Sequence, residues 1–122
     1  MNIKKIWEKA REIPGYPKDN IRQDSCGAWI VFKDYNNSNS PYGWGIDHIF
    51  PLALCSLDQI DVVNKNINLR PLHLKNIKSK GNNFPIYQAA VKADGNRNID
   101  YEGVFEVSNY ILSDLKLIGL CL

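Results

Sequence analysis

The sequence predicts an α+β fold in which a β-hairpin and a short basic helix lie between an N-terminal and a C-terminal amphipathic helix. Three observations support this prediction: helical spacing of apolar residues at both ends of the chain, β-rich runs near its middle, and a lysine-rich segment that stops at Gly81. The chain has 122 residues, 44% hydrophobic and 23% charged, which suits one globular domain over residues 1–122.

The two terminal elements are predicted from their helical period. One face of the N-terminal segment comprises Ile3, Ile6, Trp7 and Ala10. A Pro-Gly pair at 14–15 ends this helix. A closing helix is expected over residues 107–120, and its apolar face comprises Val107, Ile111, Leu115 and Ile118.

The middle of the chain is predicted to contain a hairpin followed by a helix. Residues 28–32 form a β-rich run, the Asn/Ser tract at 36–40 is a loop, and residues 42–48 are the returning strand. Residues 52–60 can form a turn or two of helix. A basic helix is expected over residues 72–80, with Pro71 near its first turn, where a missing N–H costs nothing.

Composition excludes several classes of protein. No apolar run approaches the about 20 residues that a membrane helix needs, and the chain begins with charged residues rather than a signal peptide. A cytoplasmic protein with no membrane partner is therefore expected. Cys26, Cys55 and Cys121 are widely spaced, which predicts reduced thiols rather than disulfides or a structural zinc site.

Positive charge is concentrated in one segment. Residues 62–93 contain no Asp or Glu, and their basic side chains are Lys65, Arg70, Lys75, Lys78, Lys80 and Lys92. Such a segment suits a polyanion, nucleic acid first of all. The alternative is a solvated helix face whose partner charges lie elsewhere in the fold.

One group of residues has the chemistry of phosphodiester hydrolysis. Asp47 and His48 stand side by side at the end of the predicted returning strand; Asn68 precedes the basic helix, which contains Asn76 and Lys80. A carboxylate and a second oxygen donor can hold a hard cation such as magnesium, which also binds a phosphate oxygen. A neutral imidazole can take a proton from the attacking water, and the cation offsets the developing charge.

These motifs resemble the HNH endonucleases, whose fold is the ββα-metal fold or His-Me finger. The resemblance rests on Tyr42-Gly43-Trp44-Gly45-Ile46-Asp47-His48-Ile49 and on Asn68-Leu69-Arg70-Pro71-Leu72-His73. Segments at 6–16, 22–30 and 80–99 are similar to a bacterial subset of the family, so the resemblance covers nearly the whole chain. It implies a ββα-metal core at about residues 26–83 with flanking N- and C-terminal helices.

Position by position, the resemblance implies roles for the site residues. Asp47 would be a metal ligand and His48 the general base. Asn68 would tie the loop together and help to orient the base, and Asn76 would supply the second metal ligand. The residues expected to contact nucleic acid are Arg70, Lys75, Lys78 and Lys80. The implied cofactor is one divalent cation, magnesium or manganese, with no structural zinc.

The chain departs from the family at the last metal ligand. The family has Asn or His three residues before the helix lysine, and Ile77 occupies that position here. Neighbouring residues on a helix diverge by about 100°, so Asn76 can replace the missing ligand only if the helix is rotated or irregular. The competing expectation is that Ile77 packs into the core beneath the hairpin.

Further departures lie on either side of the Asp-His pair. Gly45 stands where relatives carry Glu, and Leu54-Cys55-Ser56 replaces a glycine pair. The segment between His48 and Asn68 is also longer than usual. Asn64 and Asn66 therefore remain alternatives for the middle asparagine.

The sequence supports two hypotheses of function. The first is a metal-dependent HNH endonuclease that hydrolyses DNA, with RNA as the alternative substrate, in a phage or bacterial defence setting. The second is a catalytically degenerate HNH-fold protein that binds nucleic acid or inhibits a nuclease partner. The presence of both Asp47 and His48 favours the first hypothesis, and Ile77 favours the second.

Overall fold

The computed structural model describes residues 2–120 and 122, and it confirms the α+β class: small antiparallel sheets combine with short helices. The strands are β1 (Arg11–Glu12), β2 (Ile21–Gln23), β3 (Trp29–Val31), β4 (Trp44–His48), β5 (Leu69–His73), β6 (Ile86–Gln88), β7 (Val91–Asp94), β8 (Arg97–Asp100) and β9 (Val104–Glu106). The α-helices are α1 (Ile3–Trp7), α2 (Ile60–Val63), α3 (Leu74–Lys80) and α4 (Asn109–Leu117).

The N-terminal part combines a short helix with a three-stranded sheet of order β1-β2-β3. Helix α1 begins at a side-chain cap, because the side-chain oxygen Oδ1 of Asn2 accepts the Lys5 N–H at 3.1 Å. The helix is shorter than predicted, since Arg11 leaves the helical path and pairs with Gln23 as part of β1. Ile6 is fully buried, so the apolar face that predicted the helix does pack inward.

An aromatic cluster joins α1 to the two central strands. Trp7 packs on Trp44 with ring centroids 5.1 Å apart and edge-on against Phe32 at 5.4 Å. Tyr35 covers the other side of Trp44 at 4.9 Å. Such aromatic contacts add to the hydrophobic burial of large rings. The cluster therefore fixes the position of β4 relative to the N-terminal helix.

Strands β4 and β5 form a two-stranded antiparallel hairpin. Its register places Asp47 opposite Arg70. The outer edge of β5 is covered by side chains: the Lys9 ammonium donates to the Leu69 carbonyl at 2.6 Å, and the Asp24 carboxylate accepts the His73 N–H at 2.9 Å. Pro71 lies between Leu69 and His73 on the same edge of β5. Because proline has no N–H, it leaves no unpaired donor there, and the free edge is well protected.

This pairing corrects the predicted hairpin. Strand β4 pairs with β5 and not with residues 28–32, whose strand β3 pairs with β2 instead. A backbone hydrogen bond from the Val31 N–H to the Tyr42 carbonyl, at 3.1 Å, connects the two segments that were expected to pair. The sequence does not predict β5, because Pro71 is typical of the first turn of a helix. In the structure Pro71 lies in a strand instead.

Helix α3 follows β5 directly and starts at Leu74, two residues later than predicted. Its cap is the imidazole of His73, whose Nδ1 accepts the Lys75 N–H at 3.0 Å. It ends at Gly81, where φ is +52°, a conformation that glycine adopts at little cost. The hairpin and this helix thus form a continuous strand-strand-helix unit.

The C-terminal part adds two further antiparallel pairs, β6 with β9 and β7 with β8, and the closing helix α4. These pairs were not predicted, while α4 lies inside the predicted range of 107–120. The buried cluster shared with the hairpin comprises Cys26, Ile49, Phe50, Val63, Leu72, Tyr87, Ala89, Val107, Leu115 and Leu120. The strand-strand-helix unit therefore rests on a core to which both halves of the chain contribute.

The described cysteines fit the expectation of reduced thiols. Cys26 and Cys55 are unpaired, and burial, with the Asp24 carboxylate nearby, raises the pKa of the Cys26 thiol to about 12. Such a thiol is unreactive at neutral pH. Cys121 lies outside the described residues. Across residues 2–120 and 122, no helix has the length and apolarity required to cross a membrane.

Candidate functional site

A cavity of about 400 Å³ opens where the end of β4 meets the end of α3. Its lining comprises Ile46, Asp47, His48, Pro51, Leu52, Ala53, Ile77, Gly81 and Asn82. The two residues expected to carry the chemistry, Asp47 and His48, therefore lie together in one cavity. A larger cavity of about 520 Å³ lies at the outer edge of β5, beside Lys9 and Ser25, and neither Asp47 nor His48 lines it.

The Asp47 carboxylate is buried between two cations. Its Oδ2 accepts the Nε–H of Arg70 at 2.9 Å, and its Oδ1 lies 3.3 Å from the Lys80 ammonium. Asp47 is 5% exposed, and Lys80 is fully buried. Both carboxylate oxygens are thus engaged by positive side chains from β5 and α3.

The pKa values of the two cationic side chains shift in opposite directions. For Arg70, burial alone would lower the pKa of the guanidinium, but the Asp47 carboxylate and Tyr87 outweigh it, so the pKa lies above its ordinary value. For Lys80, burial dominates and lowers the pKa of the ammonium, although Asp47 offsets part of the effect. Arg70 is therefore the firmer partner of the carboxylate.

His48 is oriented by an asparagine from the preceding loop. Its Nε2 lies 2.8 Å from the side-chain oxygen of Asn64, which directly follows α2. The Asn64 amide nitrogen donates to the Ile60 carbonyl at 3.1 Å, so the amide oxygen faces the imidazole. Nε2 of His48 is accordingly the donor, and Nδ1 is left as the proton acceptor.

Asn68 ties the loop between the two hairpin strands together. The residue is fully buried, and its side-chain oxygen Oδ1 accepts the Phe50 N–H at 2.7 Å. Its amide nitrogen donates to the carbonyls of Phe50 and Val63, at 3.0 and 2.9 Å. The loop-tying role expected of Asn68 is thus present, while the contact with His48 comes from Asn64, one of the two alternatives.

Asn76 is not brought to Asp47, contrary to its expected role as a metal ligand. Its oxygen accepts the N–H groups of Ala90 and Val91, at 2.7 and 2.9 Å. Its amide nitrogen donates to the Asp24 carboxylate and the Val91 carbonyl, both at 3.1 Å. The helix is regular, so Asn76 points toward β7 and its oxygen already has two donors.

Ile77, rather than Asn76, is the α3 residue that lines the cavity with Asp47. It lines the Asp47 cavity and packs against the main hydrophobic cluster. A side chain added at Gly45 would place its Cβ 3.2 Å from the Ile77 Cδ1 and 3.2 Å from Leu74. Ile77 and Leu74 therefore fill the space beside Gly45, so a larger side chain at position 45 would force them to shift.

The residues around Asp47 do not fit a divalent cation. Magnesium prefers oxygen ligands and retains several waters, and manganese favours the same donors. Asp47 is the one carboxylate in the cavity lining, and the amide of Asn82 is exposed at the rim. No group of three or more His, Cys, Asp or Glu side chains suited to a metal occurs among residues 2–120 and 122. Two cations already balance the carboxylate, which disfavours a third.

The basic residues expected to contact nucleic acid divide into two groups. Arg70 and Lys80 are buried around Asp47, so they are not available to a phosphate at the surface. Lys75 and Lys78 are exposed on α3 and line a groove of about 450 Å³. The other residues of the groove are Asn36, Ser38, Ser40, His73 and Leu74.

Asp24 is a structural residue of this region that the sequence did not single out. Its Oδ1 accepts the N–H groups of Cys26 and Ala28, at 2.9 and 2.8 Å. Its Oδ2 accepts the His73 N–H and the Asn76 amide. The carboxylate thus fixes the junction of β5 and α3. Asp24 three residues before Gly27 is a turn signature that could have identified the local half of this role.

The arrangement joins an oriented imidazole to a carboxylate whose charge is already balanced. His48 can accept a proton at Nδ1, while Asp47 holds α3 against the hairpin through Lys80. An exposed basic groove runs along the same helix. Searches against models of protein families, curated proteins and solved structures found no match to this chain, so its function is inferred from this geometry.

Proposed function

We propose that β4, β5 and α3 form an HNH-type ββα core and that the protein binds nucleic acid, DNA in the first place, along α3. Support for the core comes from the order strand, strand, helix and from the Asp-His pair at the strand end. The buried Asn68, which ties the intervening loop together, supports it further.

The groove beside α3 is the observation that carries the binding proposal. Lys75 and Lys78 are three positions apart, so they lie on one exposed helix face. Asn36, Ser38 and Ser40 also line the groove, and its described lining contains no acidic residue. The Ser40 hydroxyl donates to the Asp34 carboxylate at 2.8 Å, so Asn36 and Ser38 supply the remaining neutral polar side chains. Lysines beside neutral polar donors are the usual contacts to a phosphate backbone.

Salt dependence of DNA binding tests this proposal. Replacing both lysines in Lys75→Gln/Lys78→Gln is expected to weaken binding to a labelled duplex and to flatten the plot of log affinity against log salt by about 2 units of slope. The matched control is Lys4→Gln/Lys5→Gln, which removes the same charge from two exposed residues of α1. Equal slopes for wild type and both double variants would reject the groove as the binding surface.

Substrate preference is read from the same titration. Single-stranded DNA and double-stranded RNA are measured beside the duplex under one set of salt concentrations. If RNA binds more tightly than DNA and its binding depends equally on Lys75 and Lys78, the groove remains the proposed binding surface and RNA becomes the proposed ligand. Absence of binding to all three probes at low salt would reject nucleic-acid binding.

Phosphodiester hydrolysis is the second candidate function, and the His48–Asn64 hydrogen bond favours it. An imidazole whose tautomer is fixed by an amide oxygen is prepared to accept a proton from water. Plasmid nicking in magnesium or manganese by wild type and by His48→Ala separates the two functions. We expect DNA binding without nicking; nicking that chelator and His48→Ala both abolish would establish hydrolysis instead.

A further inference from the structure

The ion cluster at Asp47 carries more positive than negative charge. One carboxylate faces two cations, and all three side chains are at least nine-tenths buried. Nη2 of Arg70 has no hydrogen-bond partner among the described residues. The ring of Tyr87 lies 5.1 Å from the Arg70 guanidinium and 5.9 Å from the Lys80 ammonium, and an aromatic face stabilises such excess positive charge.

Lys80 also connects the cluster to the backbone of the hairpin. Its ammonium donates to the carbonyl of His48 at 3.0 Å while it faces Oδ1 of Asp47. A divalent cation bound to Oδ1 of Asp47 would compete with this fully buried ammonium. The side chain that would supply a further oxygen is replaced by Ile77, whose methyl groups line the cavity instead.

From this geometry we infer that Lys80 and Arg70 are permanent counter-ions of Asp47 and that, together with Ile77, they exclude divalent cations from the cavity. The cluster holds α3 on the β4–β5 hairpin, the role that a bound ion could otherwise share. This inference rests on the proposed assignment of β4, β5 and α3 as an HNH-type core. It assigns the Asp47 site an ion-pair function that needs no metal.

Manganese titration of the isotope-labelled protein tests the exclusion directly. Bound Mn²⁺ broadens the amide signals of nearby residues, so the signals of Asp47, His48 and Ile77 are compared with those of α1. In the wild type we expect no selective broadening at millimolar Mn²⁺. In Ile77→Asn/Lys80→Met, which adds an oxygen donor and removes the buried ammonium, selective broadening is expected at Mn²⁺ concentrations at least about tenfold lower.

The matched control is Ile77→Asn/Lys78→Met, which has the same net charge as the test variant but removes an exposed lysine two positions before Lys80. In the Mn²⁺ titration it is expected to show no selective broadening, as in the wild type. If Ile77→Asn/Lys80→Met does not fold, Lys80→Met alone is compared with Lys78→Met alone. Selective broadening in the wild type, or equal broadening in the Lys78 and Lys80 variants, would overturn the inference.

DNA affinity measured on the same samples separates this inference from the proposed function. Wild-type binding to DNA is expected to be the same with Mn²⁺ and with chelator. A wild type that excludes Mn²⁺ but binds no nucleic acid would reject the proposed function and leave the ion-pair assignment in place. A wild type that binds DNA and also binds Mn²⁺ at Asp47 would reject the ion-pair assignment and leave the proposed nucleic-acid binding in place.

Discussion

At the scale of single residues, three buried polar side chains connect the segments that form the candidate site. Asp24, Asn68 and Asn76 each make at least three hydrogen bonds to separate segments of the chain. Each is at most 3% exposed. A buried donor or acceptor that loses its partner costs about 1–3 kcal/mol, so these positions tolerate few substitutions.

Sequence reasoning found the residues of the site better than their contacts. Asp47 and His48 could be placed at one strand end because the motif is local and the strand pattern is clear. The hydrogen bonds of Asn76 could not be predicted, since its partners are Val91, the first residue of β7, and Ala90 directly before it, and the sequence did not indicate this strand. The burial of Lys80 was missed for a related reason: a lysine is almost always exposed unless a partner accompanies it into the core.

At the scale of elements, α3 is short and depends on tertiary contacts at both ends. Seven residues are too few for an isolated helix to be stable in water. His73 caps the first turn through Nδ1, and Lys80 joins the last turn to Asp47 and the His48 carbonyl. Between them, Asn76 fixes the middle of the helix to β7. The helix is therefore held by one polar contact in each of its turns.

The His73 cap makes the stability of α3 sensitive to acid. Nε2 of His73 donates to the Pro41 carbonyl at 2.9 Å, so Nδ1 must stay unprotonated to accept the Lys75 N–H. Burial is the largest influence and lowers the pKa of His73 below its ordinary 6.5, although the bond to Pro41 opposes this. Below pH 6.5 the unfolded chain therefore binds the proton more tightly, and stability falls until the pH reaches the folded pKa.

We expect the free energy of unfolding to decrease as the pH falls below 6.5, by about 1.4 kcal/mol for each unit by which folding lowers the pKa of His73. Urea unfolding at several pH values measures this loss. His73→Asn keeps a cap residue and removes the titration, so its pH dependence should be flatter. His48→Gln is the matched control, because the chain has two histidines and this substitution removes the other one. A flatter profile in His48→Gln and not in His73→Asn would contradict the assignment.

Elements whose conformation follows from local sequence signals were predicted. Strands that form only by pairing with a distant segment were missed. The end of α3 was predicted from Gly81, and the presence of α4 from the helical period of its apolar residues, both of which are local signals. Strand β5 has no alternation of apolar and polar residues, since all five of its residues are buried. Its strand conformation comes from pairing with β4, and that pairing spans a loop of twenty residues, 49–68, which no local rule describes.

At the scale of the whole molecule, Asn98 is one of the contacts that join the β7–β8 pair to the N-terminal sheet, beside the backbone hydrogen bond from the Ala93 N–H to the Gly27 carbonyl at 2.9 Å. The Asn98 oxygen accepts the Trp29 N–H at 2.8 Å, and its amide nitrogen donates to the Trp29 carbonyl at 2.9 Å and to the Pro41 carbonyl at 3.1 Å. The Trp29 indole N–H reaches the Gly95 carbonyl at 3.0 Å. Asn98 thus satisfies the Trp29 backbone groups of β3 that a neighbouring strand would otherwise pair.

This connection predicts that the molecule unfolds as one unit. The three tryptophans, Trp7, Trp29 and Trp44, all lie in the N-terminal half, so their fluorescence reports on that half, while far-UV circular dichroism reports on the whole chain. The two urea transitions should coincide in the wild type. Asn98→Ala leaves the Trp29 backbone groups without their side-chain partner and is expected to lower the free energy of unfolding by about 2 kcal/mol in both transitions.

The control for this substitution is Asn96→Ala, in the exposed turn between β7 and β8, which should change stability by less than about 0.5 kcal/mol. Coincident transitions in Asn98→Ala mean that loss of the connection weakens a single cooperative unit. If the fluorescence transition keeps its wild-type midpoint while circular dichroism shows an earlier step, the β7–β8 pair unfolds separately. In that case the N-terminal sheet, the hairpin and α3 stay folded when the β7–β8 pair unfolds. Asn98 then connects two separately unfolding parts and does not belong to one cooperative core.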